Sequence, residues 1–211
     1  TLGDPSLPFE EIYSYNTHGS ITRMNHLPLM EWDFTERFRH ADLQGGGNAF
    51  YVYDASGQRI RKVIETIGST VKDRIYLGGW EIYRHRNSSG LILERETLHL
   101  MDDRQRIALL DTKTVDAGSN TGLSTVVRYQ LANHLDSAEL ELGQQTSSSE
   151  GVPLISYEEF HPYGTTAFHF GVENTKVSSK RYRYTGKERD EESGFSYHGA
   201  RFSCFQIARW T

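Results

Sequence analysis

The segment Tyr184–Phe202 constrains the fold of this chain more than any other stretch of its 211 residues. Aromatic residues alternate there with a dense cluster of charges, and Gly186, Gly194 and Gly199 stand among them. Aromatic residues favour strands, and glycine permits the positive φ of tight turns. The segment therefore predicts short β-strands joined by tight turns.

The chain as a whole has the same bias, with 12 tyrosines, 19 glycines and only 36% hydrophobic residues, which favours a thin, extended sheet. Short strand-like runs alternate with turn signals, without the alternation of strands and helices that a parallel sheet requires. We predict an all-β chain, and the sequence leaves open whether so thin a sheet folds alone. The predicted strands are Asn48–Tyr53, Ile60–Thr66, Arg74–Leu77, Glu81–Arg84, Leu91–His99, Ile107–Asp111, Thr125–Leu131, Ala138–Leu142 and Leu154–Phe160.

Helical periodicity is scarce, and the best candidates for helical turns are Trp32–Phe38 and the region Lys187–Glu192. Surface loops are expected at Gly45–Gly47, Gln144–Gly151 and Asn174–Ser179. The glycine run lacks the following Lys-Ser/Thr of a phosphate-binding loop, so we interpret it as a turn.

A degenerate repeat is visible at Tyr15–Ile21 and Tyr53–Ile60, which share the form Tyr-Asn/Asp-x-x-Gly followed by Ile two or three residues later. The form describes a strand that ends in Tyr, a turn that an Asn or Asp side chain initiates, and a glycine with positive φ. In the second copy the shape-setting residues are Tyr53, Asp54 and Gly57.

This form resembles the YD repeat of the Rhs/YD-repeat family, and Tyr184–Phe202 resembles the YTGxERDxETGLYYxGARYY signature of that family's Rhs-repeat-associated core. Further family units are matched by Arg74–Glu81, Arg128–Ser137 and Tyr157–Gly164. The resemblance implies a YD-repeat remnant with a short helical or loop segment at residues 1–40. It also implies a core over residues 41–211 that closes a shell, with a divergent tail at 203–211.

The resemblance further implies hairpins laid side by side in one long, curled antiparallel sheet, part of a hollow shell. In bacterial Tc insecticidal toxin complexes and polymorphic Rhs toxins, such a shell encloses a toxic C-terminal polypeptide. We therefore expect a structural segment of a secreted toxin shell whose partners are the rest of the shell, the C-terminal cargo and other toxin-complex subunits. The residues expected to shape it are glycines, tyrosines and charged residues: Gly19, Gly57, Gly164, Gly186, Gly194, Gly199, Tyr53, Tyr157, Tyr163, Tyr184, Tyr197, Arg189, Asp190, Glu192 and Arg201.

An enzymatic alternative is aspartyl-type self-cleavage, an activity that the resemblance attributes to related toxin cores. Paired carboxylates suit this chemistry because one activates water while the other donates a proton. Asp190 and Glu192 are the candidates. The tail 203–211 departs from the family pattern and does not contain its Asp-Pro segment, so we expect no intact protease.

The charge pattern argues against nucleic acid as a partner, because the net charge is −5 and phosphate binding needs clustered positive charge. The basic run Lys180–Arg183 precedes a group of acids, and we expect cross-strand ion pairs there. Lys187, Arg189 or Arg201 are the expected partners of those acids, and the loss of Arg201 is expected to leave buried acids unpaired.

A second alternative is a carbohydrate-binding or adhesion module, since exposed aromatic faces stack on sugar rings. Its candidate residues are Trp80, Tyr83, Tyr163 and Tyr182. The competing interpretation places tyrosines in a ladder of side chains between neighbouring strands.

The single cysteine, Cys204, excludes an intrachain disulfide and is expected to be a small buried residue. A nucleophilic Cys204 beside His198 or His134 is the alternative. The nine histidines lack metal-site spacing, so we expect neither a metal nor a cofactor. No apolar run is long enough to span a membrane. The sequence starts without Met or a signal peptide, as in a fragment whose export signal lies elsewhere.

Overall fold

The computed structural model describes residues 12–103, 105–118, 124–145, 151–171 and 179–211. Over these residues the chain forms eighteen β-strands and two short 3-10 turns, Tyr184–Gly186 and Phe205–Ile207, and no α-helix. This confirms the predicted all-β class. The strands are β1 Ser14–Tyr15, β2 Ile21–Arg23, β3 Leu29–Trp32, β4 Phe38–Asp42, β5 Asn48–Tyr53, β6 Arg59–Thr66, β7 Thr70–Leu77, β8 Trp80–Asn87, β9 Gly90–Asp102, β10 Gln105–Asp116, β11 Ser124–Ala132, β12 Ala138–Gly143, β13 Leu154–Phe160, β14 Thr166–Gly171, β15 Glu188–Arg189, β16 Phe195–Tyr197, β17 Phe202–Cys204 and β18 Arg209–Trp210.

In the described residues, strands β3 to β14 form one antiparallel sheet in which each strand pairs with its neighbours in sequence. The strands β15 to β18 form a second, four-stranded sheet in the same consecutive order, and β1 pairs with β2. Each of the strands predicted between residues 48 and 160 lies within one of β5 to β13. The long antiparallel sheet is therefore confirmed.

The turn before β6 shows why the repeated motif makes hairpins. The carboxylate of Asp54 accepts hydrogen bonds from the backbone N–H groups of Ser56 and Gln58, both at 2.9 Å. Gly57 has a φ of +86°, which glycine adopts without strain. Asn16 caps its own turn in the same way, with bonds from the N–H groups of His18 and Ser20.

The helical turn predicted at Trp32–Phe38 is wrong, because this segment is another hairpin turn between β3 and β4. Asp33 accepts hydrogen bonds from the N–H groups of Thr35 and Arg37, at 2.8 and 3.0 Å. Glu36 takes the glycine position with a φ of 60°. The second helical candidate, Lys187–Glu192, contains β15 instead.

The glycine run Gly45–Gly47 forms the turn between β4 and β5, as expected. At Gly47, which has a φ of +103°, an added Cβ would lie 1.8 Å from the Glu65 carbonyl oxygen, so a side chain cannot fit. The predicted loops Gln144–Gly151 and Asn174–Ser179 lie largely outside the described residues. The predicted boundary between residues 1–40 and 41–211 falls within β4, and this division of the chain stays a prediction.

The hydrophobic core lies at one end of the long sheet, where β16 and β17 pack against β2 to β5. Farther along the sheet, buried charged side chains accompany a few buried hydrophobic ones, such as Leu109 and Ile155. Crossing a bilayer as a helix requires a long apolar helix, and the described residues form none. The buried core residues are Ile21, Met24, Leu27, Met30, Phe38, Ala41, Ala49, Tyr51, Phe195, Phe202 and Cys204.

Candidate functional site: a buried charge network

A β-bulge at the start of β6 turns two cations toward the same side of the sheet. Val52 pairs with Arg61 and Tyr53 pairs with Arg59, so Ile60 is an extra residue in β6. Strand side chains alternate between faces, and the extra residue shifts that alternation by one. Arg59 and Lys62 are consequently both buried, although they are three positions apart.

These two cations hold the acids of the signature segment. The guanidinium of Arg59 donates to Glu188 Oε2 at 2.7 Å and to Asp190 Oδ2 at 2.6 Å. The ammonium of Lys62 lies 2.6 Å from Asp190 Oδ1 and 3.1 Å from Glu192 Oε1. All five side chains are buried, so β15 and the turn after it are fixed on β6 by ion pairs that water does not screen.

The network continues through Arg181, which bridges two acids that belong to different sheets. It donates to Glu188 Oε1 and to Glu81 Oε2, each at 2.6 Å. Glu81 also accepts a hydrogen bond from Arg74 at 3.0 Å and one from the hydroxyl of Tyr182. Arg181 therefore ties the chain ahead of the 3-10 turn to strand β8.

Three tyrosine rings surround the guanidinium of Arg59. Its central carbon lies 4.4 Å from the ring centroid of Tyr197, 5.1 Å from that of Tyr76 and 5.6 Å from that of Tyr51. The Tyr76 hydroxyl donates to Glu188 and the Tyr51 hydroxyl donates to Glu192, both at 3.1 Å. The rings exclude water, and their hydroxyls satisfy carboxylate oxygens that would otherwise be buried without a partner.

The electrostatics of the network depend on all its members together. Burial raises the pKa of Glu188, but the cations Arg59, Arg181 and Lys62 outweigh that effect and hold the pKa well below its usual range. Burial likewise opposes the charge of Arg59, but Asp190, Tyr76 and Glu188 together more than compensate, so the pKa of Arg59 is raised. Each charge is tolerated because its counter-charge is buried beside it.

The depressed carboxyl pKa values predict acid sensitivity. The folded pKa values of Glu188 and Glu81 lie below the unfolded value of about 4.3, so their stabilisation is complete above that pH and declines as pH falls toward the folded values. Burial lowers the pKa of His198 to about 4, so the melting temperature should already fall gradually below about pH 6.5, and the carboxyls should steepen that fall below about 4.3; circular dichroism measures both.

The variant Glu188→Gln isolates the contribution of one carboxylate. Each carboxyl that must take up a proton adds a slope of about 1.4 kcal/mol per pH unit, so this variant should lose stability less steeply below pH 4. Glu65→Gln, at an exposed position of β6, is the matched control. Equal slopes for the two variants would contradict the assignment.

A second cluster fixes the basic run to β13. Glu158 is buried and lies 3.2 Å from the ammonium of Lys180 and 3.1 Å from the guanidinium of Arg183. It also accepts a hydrogen bond from Thr166 Oγ1 at 2.7 Å. Together with the Arg181 bridge, these contacts confirm that the basic run makes ion pairs with strands of the sheet.

The cations that pair with the acids are not the ones predicted. Arg201 is exposed, so the expectation that its loss leaves buried acids unpaired is wrong. Arg189 stacks over the ring of Phe205, 5.8 Å from its centroid, rather than pairing with Asp190 or Glu192. Lys187 is exposed as well. The true partners, Arg59, Lys62 and Arg181, lie on β6 and ahead of the 3-10 turn.

In the Tyr163-Gly164 unit the glycine is closely packed against an aromatic ring, whereas the tyrosine is exposed. Gly164 has a φ of +87°, and an added Cβ would lie 2.7 Å from the ring of Tyr184. Tyr184 donates a hydrogen bond to the Pro162 carbonyl at 2.6 Å and meets the ring of Phe205 edge-on. Tyr163 itself is 68% exposed.

The other predicted shape-setting residues lie where turns and ring contacts need them. Tyr53 and Tyr197 have their ring centroids 6.3 Å apart, and Tyr157 contacts Phe168 across β13 and β14. Positive φ angles occur at the remaining predicted glycines, Gly19, Gly186, Gly194 and Gly199.

The four aromatic residues proposed for carbohydrate binding have different surroundings. Tyr182 is covered by Arg106, whose guanidinium carbon lies 3.6 Å from the ring centroid. Tyr83 stacks with Arg74 on the buried face of the sheet. Trp80 is partly exposed on β8, and Tyr163 is exposed in the turn between β13 and β14. Sugar binding at these residues stays a prediction.

Cys204 is buried in the hydrophobic core, and its thiol donates to Gln206 Oε1 at 3.2 Å. His198 meets Trp210 edge-on, and burial lowers its pKa to about 4. Among the described residues, no group of three or more His, Cys, Asp or Glu side chains is arranged to hold a metal ion.

Comparison with known proteins finds toxin subunits. The chain is 31% identical over 173 residues to toxin subunit YenC1 of Yersinia entomophaga and 30% identical over 168 residues to YenC2 of the same organism. These matches cover 80% and 76% of this chain but only 17% and 16% of the relatives. No protein-family model matches the sequence.

Solved structures with the same fold come from Tc toxin complexes. The crystal structure of TcdB2-TccC3 superposes with a TM-score of 0.79 at 26% identity, covering 93% of this chain and 10% of that one. The Photorhabdus luminescens Tc holotoxin pore superposes with the same TM-score at 25% identity, covering 93% of this chain and 9% of its own.

The long antiparallel meander and the short second sheet pinned to it by buried ion pairs define a segment of a β-sheet shell. The sequence relatives and the superposed structures are all toxin-complex components. The chain belongs to the Rhs/YD-repeat family, in the group that contains the Tc toxin subunits.

Proposed function

We propose that this chain is a wall section of the shell of a secreted Tc-type toxin component, which encloses a C-terminal toxic polypeptide and helps to deliver it. The observation that carries the proposal is the buried charge network. It fastens the signature segment to strands β6 and β8 through Arg59, Lys62 and Glu81, and so holds the second sheet in a fixed position on the long one.

The edges of the sheet support a section that continues in a longer protein. Strand β14 pairs only with β13 in the described residues, and it presents Phe168 and Phe170 to solvent. A sheet edge with apolar side chains readily pairs with a further strand. The matches to 17% of YenC1 and 10% of TcdB2-TccC3 agree with this arrangement.

The proposed partners follow from the same relatives. One solved form of TcdB2-TccC3 is described as lacking a hypervariable C-terminal region, so that protein has such a region in its complete form. We propose that the corresponding segment of this toxin is the cargo, and that the remaining shell and other toxin-complex subunits complete the assembly.

We further propose that Asp190 and Glu192 are structural residues rather than the acids of a protease. Both oxygens of Asp190 accept bonds from cations, Oδ2 from Arg59 and Oδ1 from Lys62. Glu192 is engaged by Lys62 and by the hydroxyl of Tyr51. Both oxygens of Asp190 are thus engaged in charge-assisted bonds to buried cations, which supports a structural role.

A chimera tests the shell role. The stretch of TcdB2-TccC3 that superposes on this chain is replaced by this chain, and the product is examined by size-exclusion chromatography and limited proteolysis. We expect a monodisperse protein that protects its hypervariable C-terminal region as well as the parent does. A chimera that assembles normally yet leaves that region as protease-sensitive as a free peptide would refute the proposal.

An Asp190→Asn form of the chimera separates the structural role from the enzymatic one. Loss of half of an ion pair should lower the melting temperature, while the intact mass of the chain should match that of the unsubstituted chimera. If a C-terminal fragment present in the unsubstituted chimera disappears on this substitution, Asp190 takes part in cleavage and the structural assignment fails.

A further inference from the structure

A cavity of about 520 Å³ lies between strands β6 to β9 and the chain segment 179–192. One row of residues crosses its floor, because Lys62 pairs with Arg74, Arg74 with Tyr83, and Tyr83 with Arg95 on successive strands. Neighbouring strands lie about 4.8 Å apart, so adjacent side chains of this row are within reach of a single small ligand.

Positive charge dominates the lining of this cavity. The lining includes six cationic residues and three acidic ones. Two of the acids pair with cations outside the lining, Asp73 with Arg61 and Glu191 with Arg183, whereas Glu192 pairs with Lys62 of the lining itself. The cations are Lys62, Lys72, Arg74, Arg95, Arg181 and Arg189.

Half of those cations already have a counter-charge. Lys62 pairs with Asp190, and Arg74 and Arg181 both pair with Glu81. The other three, Lys72, Arg95 and Arg189, have no carboxylate within ion-pair distance in the ranges of the chain that the structure describes. The cavity thus contains positive charge in excess of what its surroundings neutralise.

This excess has an energetic cost in the empty cavity. Burial lowers the pKa of Arg95; Asp111 opposes that effect, whereas Arg74 reinforces it by repulsion. Burial also lowers the pKa of Arg189, and repulsion from Arg183 adds to it. Arg95 and Arg189 are half-buried, and a cation taken partly out of water without a close counter-ion is unfavourable, so a bound anion would relieve a penalty that the folded chain otherwise carries.

We propose that this cavity binds a small polyanion with two or more carboxylate or phosphate groups, held by Arg95 and Arg189 with Lys72 at the exposed side. The planar guanidinium group presents paired N–H donors that match carboxylate and phosphate oxygens. The cavity volume is within the range of about 300–1,000 Å³ that small-molecule sites occupy. Such a site would add ligand binding to a wall section whose proposed role is structural.

Calorimetric titration of the 211-residue chain tests the site. Citrate supplies the carboxylate arm and inorganic pyrophosphate the phosphate arm, each at an ionic strength held constant with sodium chloride. We expect saturable binding of one molecule per chain by at least one of the two, and the stronger arm identifies the ligand chemistry. If neither anion binds saturably, the proposal is overturned.

The variant Arg95→Gln keeps a polar side chain of similar reach and removes the charge. We expect it to weaken binding by about tenfold or more, because hydrogen bonds to charged groups contribute that much. Arg209→Gln, at an exposed position of β18, is the matched control and should bind as the unsubstituted chain does. Equal affinities for the two variants would also overturn the proposal.

A melting experiment without anion distinguishes a ligand-binding Arg95 from a structural one. Removal of an uncompensated, half-buried charge should leave the melting temperature of Arg95→Gln equal to or above that of Arg209→Gln. A clear decrease would show that Arg95 stabilises the fold itself, and the site assignment would fail. If Arg95→Gln does not fold, that same conclusion follows, and Arg189→Gln then tests whether any anion site remains.

Discussion

Replacement of Arg59 by Met is expected to destabilise the chain by about 3–5 kcal/mol, because it leaves Glu188 and Asp190 buried without their shared counter-charge. For a chain of this size the melting temperature should fall by on the order of 10 °C. Urea unfolding followed by circular dichroism measures the effect. Methionine is used because it keeps most of the side-chain volume among the three tyrosine rings.

Arg201→Met is the matched control for this experiment. Arg201 belongs to the same signature segment but is exposed, so its replacement should change stability by no more than about 0.5 kcal/mol. The double variant Arg59→Met with Asp190→Asn should cost less than the sum of its single variants, since the second change removes an orphaned charge. Equal stabilities of Arg59→Met and Arg201→Met would show that the network does not hold the fold.

The second large effect is expected at Phe38, the first residue of β4. Its side chain is fully buried and stacks on Tyr51 with ring centroids 4.9 Å apart, while Phe202 meets it edge-on at 5.4 Å. Phe38→Ala should cost about 3–5 kcal/mol through the lost burial and the cavity left behind. The same measurement by urea unfolding applies.

Phe34→Ala is the matched control, because it makes the same substitution at an exposed position. Phe34 lies in the turn just before β4 and is 94% exposed, so its truncation should be nearly neutral. Hydrogen exchange adds a second test, because Phe38 joins the long sheet to β16 and β17. Phe38→Ala should lower the protection of amides in both strands, and unchanged protection there would contradict the assigned packing.

The strands of the long sheet could be predicted because their signals are local. Each strand from β5 to β13 is a short β-prone run bounded by turn residues, and consecutive antiparallel pairing needs only those turns. The prediction of a helical turn at Asp33 is wrong because Glu36 occupies the position of the turn at which the motif has glycine. The capping carboxylate of Asp33, identical in role to that of Asp54, was the signal that could have identified it.

The charge network could be predicted only in part. The acids at positions 188, 190 and 192 stand out in the sequence, but their partners Arg59 and Lys62 come about 130 positions earlier. Spacing alone also argues against those partners, since residues three apart in a regular strand face opposite sides. The bulge at Ile60 removes that objection, and only the backbone register reveals it.

The pairing order of the strands has a consequence for how the chain reaches its native state. From β3 to β14 every strand pairs with one already adjacent in sequence, so the sheet can extend hairpin by hairpin as the polypeptide emerges from the ribosome. The contacts of Arg59 and Lys62 with Glu188 and Asp190 join positions about 130 residues apart and form only once the signature segment has been made. Until then the two cations lack their acids, so synthesis of the signature segment is the step that fastens the second sheet to the long one.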